Sequence, residues 1–172
     1  STTDVKADGQ VVVVKFSDGM KFELLPAFKR ADSWGSLMGY DYPDAHMGGR
    51  WLATNPKAEQ EAMKEKNTSS RGLLFDTCKH IRNVHAQSFS SYRLSGIVID
   101  GFVFSAIGGW HWSDEVGTTP AGTYETQLLD EFNRRSAHGM VPFKLLSPGS
   151  QQPIDTTESY ECLGKVLRQM AC

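Results

Sequence analysis

The residues of this chain best suited to chemistry are one strand carboxylate, one helix lysine and a Ser-Tyr pair. Glu23 lies between Phe22 and Leu24 in an alternating stretch, so it points away from both. It reads as a solvent-facing strand carboxylate or as a cation-binding carboxylate on a sheet, of the kind that holds Mg2+ together with phosphates and water. Lys79 follows Cys78, with His80 and Arg82 close by. It reads as a surface lysine or as a point charge set against a triphosphate. Ser90, Ser91 and Tyr92 precede an apolar stretch of helical period. Ser90 there fits an N-cap, and a helix start binds anions through its free amides. Tyr92 can stack on a nucleobase or pack in a core.

Other chemistries find little support. His80 and His85 are five apart, not the four that put two ligands on one helix face, and His46, His111 and His138 are scattered, so no histidine metal site is expected. Cys78, Cys162 and Cys172 form no C-x-x-C pair, which disfavours a disulfide scaffold or zinc knuckle and fits a reducing cytoplasm. There is no G-x-S-x-G, P-loop or G-x-G-x-x-G. Trp110-His111-Trp112 reads as packing.

The elements that must position these residues follow from period and punctuation. Val11 to Val14 reads as a strand buried on both faces, preceded by about ten residues without a strand of their own. Ser17-Asp18-Gly19 supplies a turn, and Met20, Phe22 and Leu24 alternate with Lys21 and Glu23 until Pro26 ends the second strand. A lone hairpin is marginal in water, so partner strands or helices are expected. Residues 29 to 55, rich in glycine, read as a long irregular loop whose Trp34, Tyr40, Tyr42 and Trp51 pack against something. Asn55-Pro56 opens a charged, solvated helix. Further helices are predicted over 71 to 86, 91 to 108, 121 to 136 and 157 to 171, the last announced by Asp155 and Glu158. Residues 138 to 154, with Pro142, Pro148 and Pro153, read as an extended connection. The predicted class is α+β, with a sheet part over 1 to 56 and a helical domain over 57 to 172.

The chain has 172 residues, and 18 Lys and Arg against 20 Asp and Glu leave a net charge of −2. No basic excess points to duplex nucleic acid. The longest apolar runs, 11 to 14 and 101 to 109, the latter broken by Ser105, fall well short of the roughly 20 residues that cross a bilayer, so no membrane partner is expected.

Four segments, in order, resemble one family. Phe16-Ser-Asp-Gly-Met-Lys-Phe-Glu-Leu-Leu-Pro-Ala-Phe28 is similar to the third-carboxylate strand of the bacterial cyclic-oligonucleotide synthases, the cGAS/DncV-like nucleotidyltransferases or CD-NTases. Tyr40-Asp-Tyr-Pro-Asp44 with Gly49-Arg-Trp-Leu-Ala-Thr-Asn-Pro56 resembles the family's "Y-x-I-P-D … G-x-W … N-P" stretch. Leu73-Leu-Phe-Asp-Thr-Cys-Lys79 resembles its triphosphate-contacting helix, and Phe89-Ser-Ser-Tyr-Arg-Leu94 resembles the segment that gives a serine to the phosphates and an aromatic to the base. The resemblance implies a partial DNA polymerase beta-like nucleotidyltransferase core followed by a helical domain. It implies synthesis of cyclic di- or oligonucleotide second messengers from NTPs, with two Mg2+ ions, in antiphage signalling with regulatory or effector proteins. Glu23 then matches the third metal-site carboxylate, where the family more often has Asp. Lys79 and Ser91 match the triphosphate contacts, and Tyr92 the base-stacking aromatic.

The family's Gly-Ser loop and Asp-x-Asp pair have no counterpart in these 172 residues. The expectation is therefore a C-terminal portion of such an enzyme, inactive by itself. The alternatives are a tRNA-end or oligoadenylate-type transferase and a catalytically dead homologue that binds nucleotide or protein.

Overall fold

Antiparallel pairing begins earlier than the valine run suggests. The computed structural model describes residues 3–8, 11–43, 49–113, 122–137 and 142–172. Asp44, His46, Gly48, Ala121 and His138 lie outside the described residues. The chain divides into two compact units, Ser1–Lys57 and Ala58–Cys172.

In the first unit, β1 (Asp4–Asp8), β2 (Val11–Lys15) and β3 (Lys21–Leu24) form an antiparallel sheet in that order. Strand β1 corrects the expectation that the residues before Val11 carry no strand, and it gives the hairpin its partner. The β2–β3 turn forms where expected, with Gly19 at φ 89° and Asp18 Oδ1 accepting from the Met20 amide at 2.9 Å. The register Val5–Val14–Phe22 and Ala7–Val12–Leu24 puts the apolar side chains on one face. Lys6, Val13 and Glu23 share the other. Of the four valines only Val13 is buried, so the expectation of a strand buried on both faces is corrected. An unbroken valine run fills both faces of a strand whether or not both are covered.

The segment read as a long loop holds a second sheet. Strands β4 (Phe28–Ala31), β5 (Leu37–Pro43) and β6 (Trp51–Thr54) pair antiparallel, with a bulge between Arg30 and Ala31. The glycines that suggested a loop have specific places in it. Gly35, at φ 81°, sits in a tight turn where Asp32 Oδ1 accepts from the Trp34 and Ser36 amides at 2.9 and 2.8 Å. Gly39 is inside β5, where a Cβ would come within 2.6 Å of the Thr54 carbonyl oxygen. Trp34, expected to pack, is 92% exposed, whereas Trp51 meets Phe28 edge-on at 5.2 Å.

The second unit is helical. Helix α1 (Pro56–Ser69) starts at the predicted proline and buries no residue fully. Helix α2 (Leu73–Ser88) buries Leu74, Cys78 and Ile81 as its period predicts. Its first turn is capped from the preceding helix: Ser70 Oγ accepts from the Leu74 amide at 3.2 Å and Asn67 Oδ1 from the Phe75 amide at 2.9 Å. Helix α3 (Gly96–Ala106) begins five residues later than the predicted 91, because Ser95 is extended and its amide donates to Ser159 Oγ at 3.0 Å. Ser90 is therefore not a helix N-cap. Helix α4 (Thr123–Ser136) is followed by a two-stranded pair, β7 (Leu145–Leu146) and β8 (Pro153–Ile154), and then by α5 (Tyr160–Met170). Helix α5 starts three residues after the predicted 157, because Asp155 Oδ1 accepts from the Thr157 amide in a preceding turn. No helix among the described residues is long and apolar enough to cross a membrane.

The core joins α2, α3, α4 and α5 around an aromatic cluster. The Phe132 ring lies 5.5 Å from that of Phe143, 5.1 Å from that of Tyr160 and 6.2 Å from that of Phe102. Each fully buried large side chain contributes about 1.5–3 kcal/mol relative to exposure. Helix α4 is pinned to this core by Arg135, which donates to Ser105 Oγ at 2.9 Å and lies 5.6 Å from the Phe102 centroid. Arg135 is held in turn by Glu131, which also accepts two bonds from Arg134 at 2.7 and 2.8 Å. The bonds from Arg134, then those from Arg135, lower the Glu131 carboxyl from an ordinary 4.5 to about 2. A lowered acid stabilises the fold above its unfolded pKa, and that stabilisation is lost as pH falls through the folded one. Urea midpoints of the wild type should therefore fall between pH 4.5 and about 2 more steeply than those of Glu131→Gln; parallel acid limbs would show that this ion pair does not contribute.

Candidate functional site

The sequence-predicted residues fall in both units. Glu23 lies in the strand unit, on the charged face of the first sheet. Its Oε1 is 2.6 Å from the Lys21 ammonium, and both side chains are half exposed. Lys15, paired with Lys21, stands diagonally across on the same face. The carboxylate is thus set among lysines, with no second carboxylate in its cross-strand row. Among the described residues, no three His, Cys, Asp or Glu side chains gather closely enough to hold a metal ion. Two Mg2+ ions consequently do not fit the donors that the described residues bring together.

The other three residues lie in the helical unit. Burial of Leu74, Cys78 and Ile81 turns the opposite face of α2 outward, and Lys79 stands on it with its side chain 77% exposed. Asp76, one turn earlier, is 3.9 Å from its ammonium. Helix α2 ends at Phe89, and the chain then makes a tight turn in which the Tyr92 amide donates to the Phe89 carbonyl at 2.9 Å. Ser91 is exposed in this turn. The expected helix start at Ser91 and Tyr92 is thus corrected to a turn fixed by its neighbours. His85 Nε2 lies 2.9 Å from the Tyr92 carbonyl oxygen, and Phe89 meets the Tyr92 ring edge-on at 6.3 Å. Tyr92 remains 43% exposed, so it is not a core aromatic.

Sequence reasoning missed two features. One is Lys165 of α5, whose Nζ lies 3.9 Å from the Tyr92 ring centroid. The other is a cavity of about 160 Å³ beside the Lys79 face of α2, lined by Asp76, Thr77, His80, Trp112, Tyr124 and Glu125 among others. Trp112 Nε1 donates to Asp76 Oδ2 at 3.0 Å, and His80 Nδ1 is 3.6 Å from Glu125 Oε1. The Trp110-His111-Trp112 segment does pack, with Trp112 edge-on to Tyr124 at 5.1 Å, and it also fixes Asp76. None of these contacts has a local sequence signal, because each joins elements distant in the chain.

Comparison with known proteins places these elements. Residues 1–67 match the model of the Second Messenger Oligonucleotide or Dinucleotide Synthetase domain. No curated protein gives a significant sequence match. Among solved structures, the Elizabethkingia meningoseptica CdnE cyclic dinucleotide synthase, solved with GTP and Apcpp, superposes with a TM-score of 0.67 at 10% identity. The match covers 96% of this chain and 62% of that one. This is the CD-NTase fold. The STING-associated CdnE c-di-GMP synthase of Capnocytophaga granulosa gives 0.66 at 12% identity, over 98% of this chain and 56% of that one. The Bradyrhizobium diazoefficiens CD-NTase CdnG, in complex with GTP, gives 0.59 at 12% identity, over 98% and 60%. The chain thus spans 56–62% of the length of these CD-NTases.

In this fold the outward residues of α2 are separable from its core. Lys79→Ala removes only an exposed pair of marginal energetic weight. It should leave the urea midpoint at the wild-type value, whereas Ile81→Ala, emptying a fully buried position, should cost about 2–5 kcal/mol. A comparable loss in Lys79→Ala would make that lysine structural.

Proposed function

We propose that this chain is the nucleotide-holding portion of a bacterial CD-NTase that makes cyclic di- or oligonucleotide second messengers from NTPs. The observation that carries the reading is the match of residues 1–67 to the synthetase domain, joined to a CD-NTase fold across nearly the whole chain. Lys79, exposed on α2, supplies the charge that neutralises a triphosphate. The Ser91 hydroxyl, exposed in the turn, donates to a phosphate oxygen. Tyr92, held by its backbone and 43% exposed, offers a ring face to the base. Glu23 is one donor to catalytic Mg2+, whose other ligands come from outside these residues. Metal held there would supply Lewis-acid chemistry for the attacking hydroxyl and charge neutralisation for the leaving pyrophosphate. ATP and GTP are the substrates this reading favours, in a cytoplasmic antiphage signalling role with regulatory or effector partners.

The test uses the product of the whole reading frame containing this segment, with Mg2+ and all four NTPs, and mass spectrometry of the products. A cyclic oligonucleotide that disappears in Glu23→Ala is the expected result. The 172-residue chain by itself is expected to make none. Product that persists in Glu23→Ala would remove Glu23 from the metal site. No product from the complete frame, with nucleotide binding retained, would favour a binding-only homologue.

A further inference from the structure

The stretch that carries Ser91 and Tyr92 is fastened to α5 and to the residues that lead into it. Gln169 Nε2 donates to Ser88 Oγ at 2.9 Å, Arg93 pairs with Glu158 at 2.7 Å, and the Ser95 amide donates to Ser159 Oγ at 3.0 Å. Between these ties, the Lys165 ammonium rests 3.9 Å from the Tyr92 ring centroid, well inside the range of a cation–π contact. Lys165 is itself steadied by Glu161, one helical turn earlier, at 2.7 Å. Its side chain is only 29% exposed, so much of its stem is covered by its neighbours. Helix α5 therefore backs the tyrosine through this lysine, and Tyr92 stays 43% exposed.

We propose that Lys165 is a positioning residue for nucleobase binding: its ammonium occupies the α5-facing side of the Tyr92 ring, fixes the ring plane and leaves a single face for a purine. This role rests on the nucleotide reading given above. An aromatic ring free to rotate loses rotamer freedom when a base stacks on it, and a ring already clamped does not. A cation on one face also draws ring electron density toward itself, which makes the other face a better partner for an electron-rich purine. In this role the lysine acts on the ring and not on a phosphate, so it differs in kind from Lys79.

Two measurements on the full chain test the proposal. The first is proton NMR without nucleotide. The Lys165 ε protons should be shifted upfield by the Tyr92 ring and return to ordinary positions in Tyr92→Leu; unshifted ε protons in the wild type would overturn the clamp whatever the nucleotide data show. The second is calorimetric titration with a non-hydrolysable ATP analogue, with GTP and with inorganic triphosphate. Lys165→Met should weaken both nucleotides about threefold to tenfold and leave triphosphate unchanged, while Lys165→Arg keeps a cation over the ring and restores nucleotide affinity. Lys79→Ala should weaken all three ligands. Equal loss of triphosphate and nucleotides in Lys165→Met would make Lys165 a phosphate contact and overturn the positioning role. Nucleotide binding that depends on Tyr92 but is untouched by Lys165→Met would overturn the role while leaving the nucleotide reading intact. No binding of either nucleotide to the wild type would overturn both.

Discussion

Helix α3 is apolar around most of its circumference, and the helical unit is organised by the need to cover it. Val98, Ile99, Gly101, Phe102, Val103 and Ala106 are all buried, more than half of an eleven-residue helix. Helices α2 and α4 and the β7–β8 pair supply that cover. The polar residue in its middle, Asp100, is met by Arg82 of α2 at 2.6 Å. Beside it, burial and then the Asp100 charge push the Cys78 thiol up to about 12, so that the α2–α3 contact holds a neutral thiol rather than a thiolate. This packing fixes the rotation of α2 about its axis. Lys79 faces outward because Leu74, Cys78 and Ile81 cannot.

The turn after α2 depends on the same arrangement at one remove. Its backbone is held by His85 from α2, and its side chains are held by α5, whose own inward face buries Leu163, Val166 and Leu167. The core therefore positions two exposed side chains, Ser91 and Tyr92, through helices on both sides. That is the condition under which a surface turn can present groups with defined geometry.

Helical periodicity was legible along the second unit, because stripes such as Leu163, Val166, Leu167 and Met170 repeat over several turns. The exposure of Lys79 followed directly from the stripe on its helix. Three things were not legible. The strands β4 to β6 are short, and their glycines serve strand-specific needs: Gly39 makes room for the Thr54 carbonyl, so the residue that signals a loop is required by a sheet. The start of α3 was misplaced because nothing local forbids helix over 91 to 95; a turn at Phe89–Tyr92 and contacts from Glu158 and Ser159 hold that stretch out of the helix. Lys165 was invisible for the same reason. Its importance comes from the ring it rests on, and that ring belongs to a distant part of the chain.

The tip of the β7–β8 connection is seated on the first turn of α1. Gly149, at φ 69°, packs so closely on Ala58 that a Cβ would collide with the Ala58 carbonyl, and Ser150 Oγ donates to Glu59 at 2.7 Å across 91 residues of sequence. The earliest element of the helical unit is thus secured by nearly the last. Helix α1 buries no residue fully, and this tip adds to the ties it makes through Met63 on the core and Asn67 on the first turn of α2. Loop closure over such a span is entropically costly before it is rewarded, and contacts of high sequence separation slow folding. Docking of the β7–β8 tip on α1 closes a long loop, and it belongs with the non-local contacts that slow the folding of the unit.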